Sequence, residues 1–327
     1  STSPAPISHT IRNLGTAGSV LIFGSHQEEQ AVDESQFSEP TRRWLAQGRR
    51  IDVDGRRLFV YERGQGAAVL FLHGFPTCSY DWRGVIDRLS DSYRCIAPDF
   101  PGYGLSDKPA AYSYSLFQQT DAIEGLARVL GITEAHVISH DVGTSVHTEL
   151  LAREQEEDLP FRILSSTFLN GSMLQGLATI TVFQKMLSAN ETLPQAMSFC
   201  AQIEGTYIPG LKSVMRKPEC LTAEDETVLT ETLAYQDGNR RLPALAVYMR
   251  ERYLHLDRWI GALRTARAPV QFIWADGDPV ANVELGRALH LEVPNAGYTE
   301  LPGLGHFLLM EDPEAVAAGI TKFLALV

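Results

Sequence analysis

The sequence predicts a mostly parallel, eight-stranded α/β sheet flanked by helices, with a helical cap inserted late in the chain. Three observations carry this. Beyond residue 50, strand-like and helix-like stretches alternate, as they do in a parallel sheet covered on both faces. Between Asn170 and about Trp259 the alternation stops, and helix-like segments such as Thr181 to Leu187 and Ala223 to Leu233 replace it. Finally, the apolar run Ala135-His136-Val137-Ile138 feeds a tight turn, Ser139-His140-Asp141-Val142-Gly143, with a helix behind it.

Taken in order, residues 1–47 read as an N-terminal extension rich in Ser, Pro, Gln and Glu, placed either on the core or wandering over it. Its one apolar stretch, Ser19 to Phe23, is far short of the ~20 residues of a membrane span. A hairpin-like segment follows over Arg50 to Tyr61, and strands are expected near 67–73, 93–98, 134–140, 162–169, 269–275 and 296–301. The core is assigned to residues 48–170 and 260–327 and the cap to 171–259, above the 139–143 turn.

In that turn small residues, Ser139 and Gly143, flank Asp141 and let the backbone reverse sharply from strand to helix, lifting the central side chain above the sheet. A serine at such a tip attacks acyl carbons. A carboxylate is suited to displacing a leaving group from a saturated carbon and forming an alkyl ester, which implies an epoxide or an alkyl halide as substrate. In isolation, an aspartate ahead of a helix reads more simply as an N-cap.

Three further segments favour the chemical reading. Val69 to Pro76 is an apolar strand ending in a Gly turn, and the loop after such a strand supplies one backbone N–H of an oxyanion hole, the second coming from the residue after the nucleophile. Those donors are expected at Phe75 and Val142. Val270 to Pro279 is a buried-type strand followed by two acids, of which Asp278 is preferred to Asp276 because Asp276-Gly277 reads as the turn itself. Leu301 to Phe307 is a glycine-rich loop presenting His306 ahead of the final helix. Nucleophile, acid and histidine thus follow one another as Asp141, Asp278 and His306. His73, His140 and His147 are expected to be structural.

These motifs resemble those of the α/β-hydrolases, specifically the epoxide hydrolase and haloalkane dehalogenase group, and most nearly the branch that includes the mesoderm-specific transcript protein. The resemblance rests on His73-Gly74-Phe75-Pro76-Thr77 with Ser79-Tyr80-Asp81-Trp82, on Asp99 to Pro109, on Ser139-His140-Asp141 and on Arg258 to Leu263, and it covers roughly residues 50 to 327. It implies a nucleophilic Asp141, a water-activating His306 and a supporting Asp278. Epoxide opening in that group draws a proton from cap tyrosines, and Tyr248 resembles one of them. Tyr207 and Tyr235 are candidates for the second by region alone. Phe75, Trp259 and Tyr207 are expected to line the substrate site.

The chain also departs from the pattern. Val142 stands where the group usually has Trp, so neither it nor Phe75 offers a side-chain donor to a halide. Val142 to Val146 holds none of the arginines that fluoroacetate dehalogenases place after the nucleophile. A vicinal diol from an epoxide is therefore the expected product, and loss of the Trp predicts a roomier pocket. Haloalkane dehalogenation, with Trp259 or Trp274 taking over the halide, is the first alternative. Direct general-base hydrolysis of an ester or lactone, and a non-catalytic ligand-binding homologue, are the others.

A hydrophobic fraction of 44% is ordinary for a soluble enzyme, and a net charge of −12 argues against nucleic acid or anionic membrane and for a small neutral organic substrate. Cys78, Cys95, Cys200 and Cys220 lack metal-ligand spacing, so reduced thiols, no metal, no cofactor and a cytoplasmic location are expected.

Overall fold

An Asp54-Gly55 dipeptide, both residues at positive φ, closes the first hairpin of this computed structural model, as two-residue turns between twisted strands require. The structure describes residues 32–174, 176–202 and 204–327. The hairpin strands are β1 (Gly48–Val53) and β2 (Arg56–Arg63); β3 (Ala68–Leu72), β4 (Arg94–Pro98), β5 (Glu134–His140), β6 (Arg162–Leu169), β7 (Val270–Ala275) and β8 (Gly297–Leu301) complete one sheet. Its order is β1-β2-β4-β3-β5-β6-β7-β8, antiparallel through β1, β2 and β4 and parallel from there on. The eight expected strands are therefore all present.

The helices are α1 (Glu39–Leu45), α2 (Arg83–Leu89), α3 (Leu116–Val129), α4 (Val142–Gln155), α5 (Val182–Ser188), α6 (Leu193–Cys200), α7 (Glu204–Lys212), α8 (Ala223–Ala234), α9 (Leu242–Leu245), α10 (Tyr248–Leu254), α11 (Leu256–Arg264), α12 (Val283–Glu292), α13 (Leu308–Glu311) and α14 (Pro313–Leu324). Between β6 and β7 every described element is helical.

Burial explains why the strands read as continuous apolar runs. Every residue of β7, and all of β5 after Glu134, is buried, because helices cover both faces. The edge strand β8 is only partly covered. The N-terminal extension is divided differently from the expectation over 1–47. Residues 1–31 lie outside the described residues, and residues 32–36 do not belong to the main unit. From Phe37 onward the chain belongs to the main unit, because Trp44 of α1 packs its ring against Phe59, Tyr61 and Tyr80. Among the described residues, no helix is long and apolar enough to cross a membrane.

Candidate active site

At the end of β5 the backbone reverses through Asp141, at φ 46° and ψ −111°, a region L-residues rarely occupy. The sharp turn brings α4 hard against β3. A Cβ on Gly143 would lie 2.5 Å from the Leu72 carbonyl oxygen and 2.7 Å from that of His73, and one on Gly74 would lie 2.9 Å from the Asp141 Cβ. Only glycine fits at either place.

The Asp141 carboxylate does not cap α4. Oδ2 instead accepts the Phe75 N–H at 2.8 Å from the loop after β3. The carboxyl is buried, which alone would raise its pKa, but the charges of His306 and Arg252 outweigh that effect and hold it below the ordinary carboxylate value. Val142 follows as the first residue of α4.

His306 stands on the loop between β8 and α13, with Nδ1 2.8 Å from Asp278 Oδ2. The other Asp278 oxygen accepts the N–H groups of Val280 and Ala281 at 2.7 and 3.1 Å, which fixes its carboxylate and leaves His306 Nε2 for other partners. Burial alone would lower the imidazole, but Asp278 and the nearby Asp141 charge hold it up at about 9. Asp276, the competing acid, caps the Gly303 N–H at 2.8 Å and is exposed.

Other histidines are engaged in the framework. His73 Nε2 accepts the Phe100 N–H at 3.0 Å, and His147 sits between the Ser139 and Ser166 hydroxyls, each at 2.9 Å. His140 holds the His306 carbonyl oxygen at 2.9 Å. Burial depresses all three, to about 4, 3 and 4 for His73, His147 and His140.

Asp141 and His306 both line a cavity of about 310 Å³. Phe75, Phe183, Phe199 and Phe307 furnish apolar walls, and Tyr207 and Gln184 add polar atoms. Val182 and Phe199, both exposed, mark its opening. This volume is at the small end for a ligand site, and aromatic rings form much of its lining.

The tyrosines and tryptophans part company with expectation. Tyr207 lines the cavity, its hydroxyl 3.4 Å from the Pro76 carbonyl oxygen. Tyr248 is fully buried behind the wall, with its ring 5.4 Å from that of Phe75 and its hydroxyl accepting Gln184 Nε2–H at 2.9 Å. Trp259 does not line the cavity; its ring is spent in the packing of α11 on α4, where Nε1 donates to Glu149 at 2.8 Å. Trp274 Nε1 is likewise taken, by the Ala281 carbonyl at 2.7 Å. Tyr235 ends α8 beside Phe37, and does not line the cavity.

Sequence reasoning missed three residues of the site. Arg252 of α10 donates from Nη2 to the Asp141 carbonyl oxygen at 3.0 Å and lies 3.7 Å from Oδ1. Asn170, at φ 40°, ties the end of β6 to Ala275 and to the His306 loop. Buried Glu311 accepts the N–H groups of Gly305, Arg216 and Lys217, joining the helical insertion to that loop. None carries a local sequence signal, since each acts across more than ninety residues or through a common residue type, except the six-residue link from Glu311 to Gly305.

A strand–elbow–helix turn with a buried acid at its tip, a carboxylate-bound histidine after the last strand and an eight-stranded sheet define an α/β-hydrolase. The chain belongs to this superfamily: the alpha/beta hydrolase fold family matches over residues 67–313. It is 35% identical to LipZ of Mycobacterium tuberculosis over 88% of this chain and 99% of that protein, and 31% identical to the human mesoderm-specific transcript homolog protein over 86% and 87%. In fold it is similar to the epoxide hydrolase VrEH1 from Vigna radiata (TM-score 0.67, 23% identity, 86% of this chain and 98% of that one). It is equally similar to the haloalkane dehalogenase DbeA from Bradyrhizobium elkani (TM-score 0.67, 21% identity, 85% and 97%).

Proposed function

We propose that this hydrolase opens epoxides to vicinal diols through an alkyl ester on Asp141. The observation that carries the reading is the Asp141 carboxylate: it is buried, it leaves the helix uncapped, and one oxygen rests on the Phe75 N–H while the group faces a cavity shared with His306. With Oδ2 held, Oδ1 is the attacking oxygen. It displaces the less hindered ring carbon, the C–O pair passes to the ring oxygen, and Tyr248, held one hydrogen bond behind the lining Gln184, supplies that oxygen's proton when the Gln184 side chain gives way to substrate.

Tyr248 suits the task because of its partner. The Gln184 side chain and Thr181 form a capping box at the start of α5, with Gln184 Oε1 accepting the Thr181 N–H at 2.8 Å. Nε2 is thereby directed to the Tyr248 oxygen, so the phenol's own proton is free to be donated. Tyr207, in the cavity wall, is the second hydroxyl of the site.

Alkylation removes the Asp141 charge that helps keep His306 protonated, so the imidazolium releases its proton to solvent and becomes a base, and it takes a proton back from solvent when the Asp141 charge returns. His306, oriented by Asp278, takes a proton from water, and the hydroxide attacks the Asp141 ester carbon, the oxyanion resting on the Phe75 and Val142 N–H groups. Collapse releases the diol. Of the two water protons one ends on the second hydroxyl and the other restores Tyr248, while the water oxygen remains in the Asp141 carboxylate. The helical insertion excludes bulk water meanwhile. The dehalogenase reading is weaker because the indole N–H groups of Trp259 and Trp274 are already engaged.

The test is a single turnover in ¹⁸O-water with styrene-oxide-like and aliphatic epoxides, with bromoalkanes alongside. Unlabelled first-turnover diol with label in Asp141, and no product from Asp141→Ala, is the expected result. Labelled diol in the first turnover would mean direct general-base attack on the epoxide. Halide without diol would make the protein a dehalogenase, and silence on both a binder.

A further inference from the structure

We propose that Arg252 is a positioning residue for the nucleophile, fixing the elbow from the helical insertion and supplying the cation that a buried carboxylate requires. The inference rests on Asp141 being the nucleophile. Arg252 is itself buried and does not line the cavity that Asp141 faces, so it is not presented to a substrate carboxylate there. Two of its three nitrogens are directed at the elbow: Nη2 donates to the Asp141 carbonyl oxygen at 3.0 Å and lies 3.7 Å from Oδ1, while Nε donates to the Ser145 hydroxyl at 2.7 Å, one turn into α4.

The same guanidinium lies 4.7 Å over the ring of Tyr248, four residues earlier on α10. One cation therefore touches both partners of the first chemical step. Negative charge leaves Asp141 as the ester forms and develops on the Tyr248 oxygen as it gives up its proton, and Arg252 faces the charge at both places. His306 cannot do this, because the second step requires it to be neutral. A guanidinium keeps its proton throughout.

Around the Asp141 carboxylate stand His140 from β5, His73 after β3, His306 before α13, and Tyr248 and Arg252 from α10. Asp278 binds His306, and Tyr103 after β4 also feels the Asp141 and Arg252 charges. Among these Arg252 is the permanent cation. Arg252→Gln keeps a hydrogen-bonding side chain and loses the charge, whereas Arg252→Lys keeps the charge and loses the fork.

The experiment measures ester formation with 4-nitrostyrene oxide in a His306→Gln background, as a function of pH, together with NMR titration of the His306 imidazole in the absence of substrate. Arg252→Gln is expected to slow ester formation at least about tenfold and to raise its acidic limb by roughly one unit or more. In the substrate-free protein with His306 intact it should move the imidazole titration upward, since Arg252 repels the imidazolium. Arg252→Lys should keep the parent limb and recover part of the rate. A well-folded Arg252→Gln with the parent rate and limb, or Arg252→Lys behaving like Arg252→Gln, would overturn the proposal. If Arg252→Gln does not fold, Ser145→Ala decides: slower ester formation with an unmoved limb supports the anchoring, and an unchanged rate overturns it. Absence of any ester in the parent defeats the proposed function, while the NMR shift still decides the role of Arg252's charge.

Discussion

His306 carries two opposite demands, and its surroundings supply both. Asp278 on Nδ1 and the charge of Asp141 keep it protonated in the resting protein, at about 9 against an ordinary 6.5. A raised histidine stabilises the fold fully below the unfolded value, and that contribution is lost as pH rises through the folded one. The unfolding free energy should therefore fall between pH 6.5 and 9, and His306→Gln should flatten that part of the curve; urea titrations across this range test it. In activity, His306→Gln should form the Asp141 ester and fail to hydrolyse it, so that a stoichiometric substrate adduct accumulates in the mass spectrum. Tyr248→Phe should slow ester formation by about two orders of magnitude and Tyr207→Phe by much less. The reverse ranking would make Tyr207 the acid.

Among the secondary-structure elements, the elbow and the start of α5 are where local geometry is least forgiving. Gly143→Ala pushes a methyl into the Leu72 and His73 carbonyls and is expected to cost about 2 kcal/mol. An unchanged melting temperature would show that α4 can withdraw from β3 without penalty. At α5, Thr181→Ala removes the capping box for about 1 kcal/mol. It also frees the Gln184 amide that points Tyr248, so ester formation should slow with little change in ester hydrolysis. Helix α11 shows why Trp259 misled: its sequence marks a large apolar side chain in the right region, but the face it occupies is the one that buries against α4 and Glu149.

The assembled chain depends on ties between the sheet and the insertion, and Glu311 is the clearest. Its buried carboxylate accepts N–H groups from the His306 loop and from residues 216 and 217 of the insertion. Glu311→Ala strands three donors and is expected to lose about 3 kcal/mol, and to weaken the coupling of His306 to the rest of the site; thermal melts and the rate of ester hydrolysis measure the two effects.

Strands, their order along the chain, the Asp141 elbow and the Asp278 and His306 loops were legible in the sequence, because each is a contiguous pattern: an apolar run ended by small or turn-forming residues. The residue at the tip also carries the proposed chemistry, since replacing a serine by an aspartate changes the bond that can form. Arg252, Asn170 and the Glu311 bridge to the insertion were not legible, and neither was the withdrawal of Tyr248 behind the wall. These depend on which face each helix of the insertion turns to the sheet, and that is settled by packing between residues about a hundred positions apart, which no local pattern encodes.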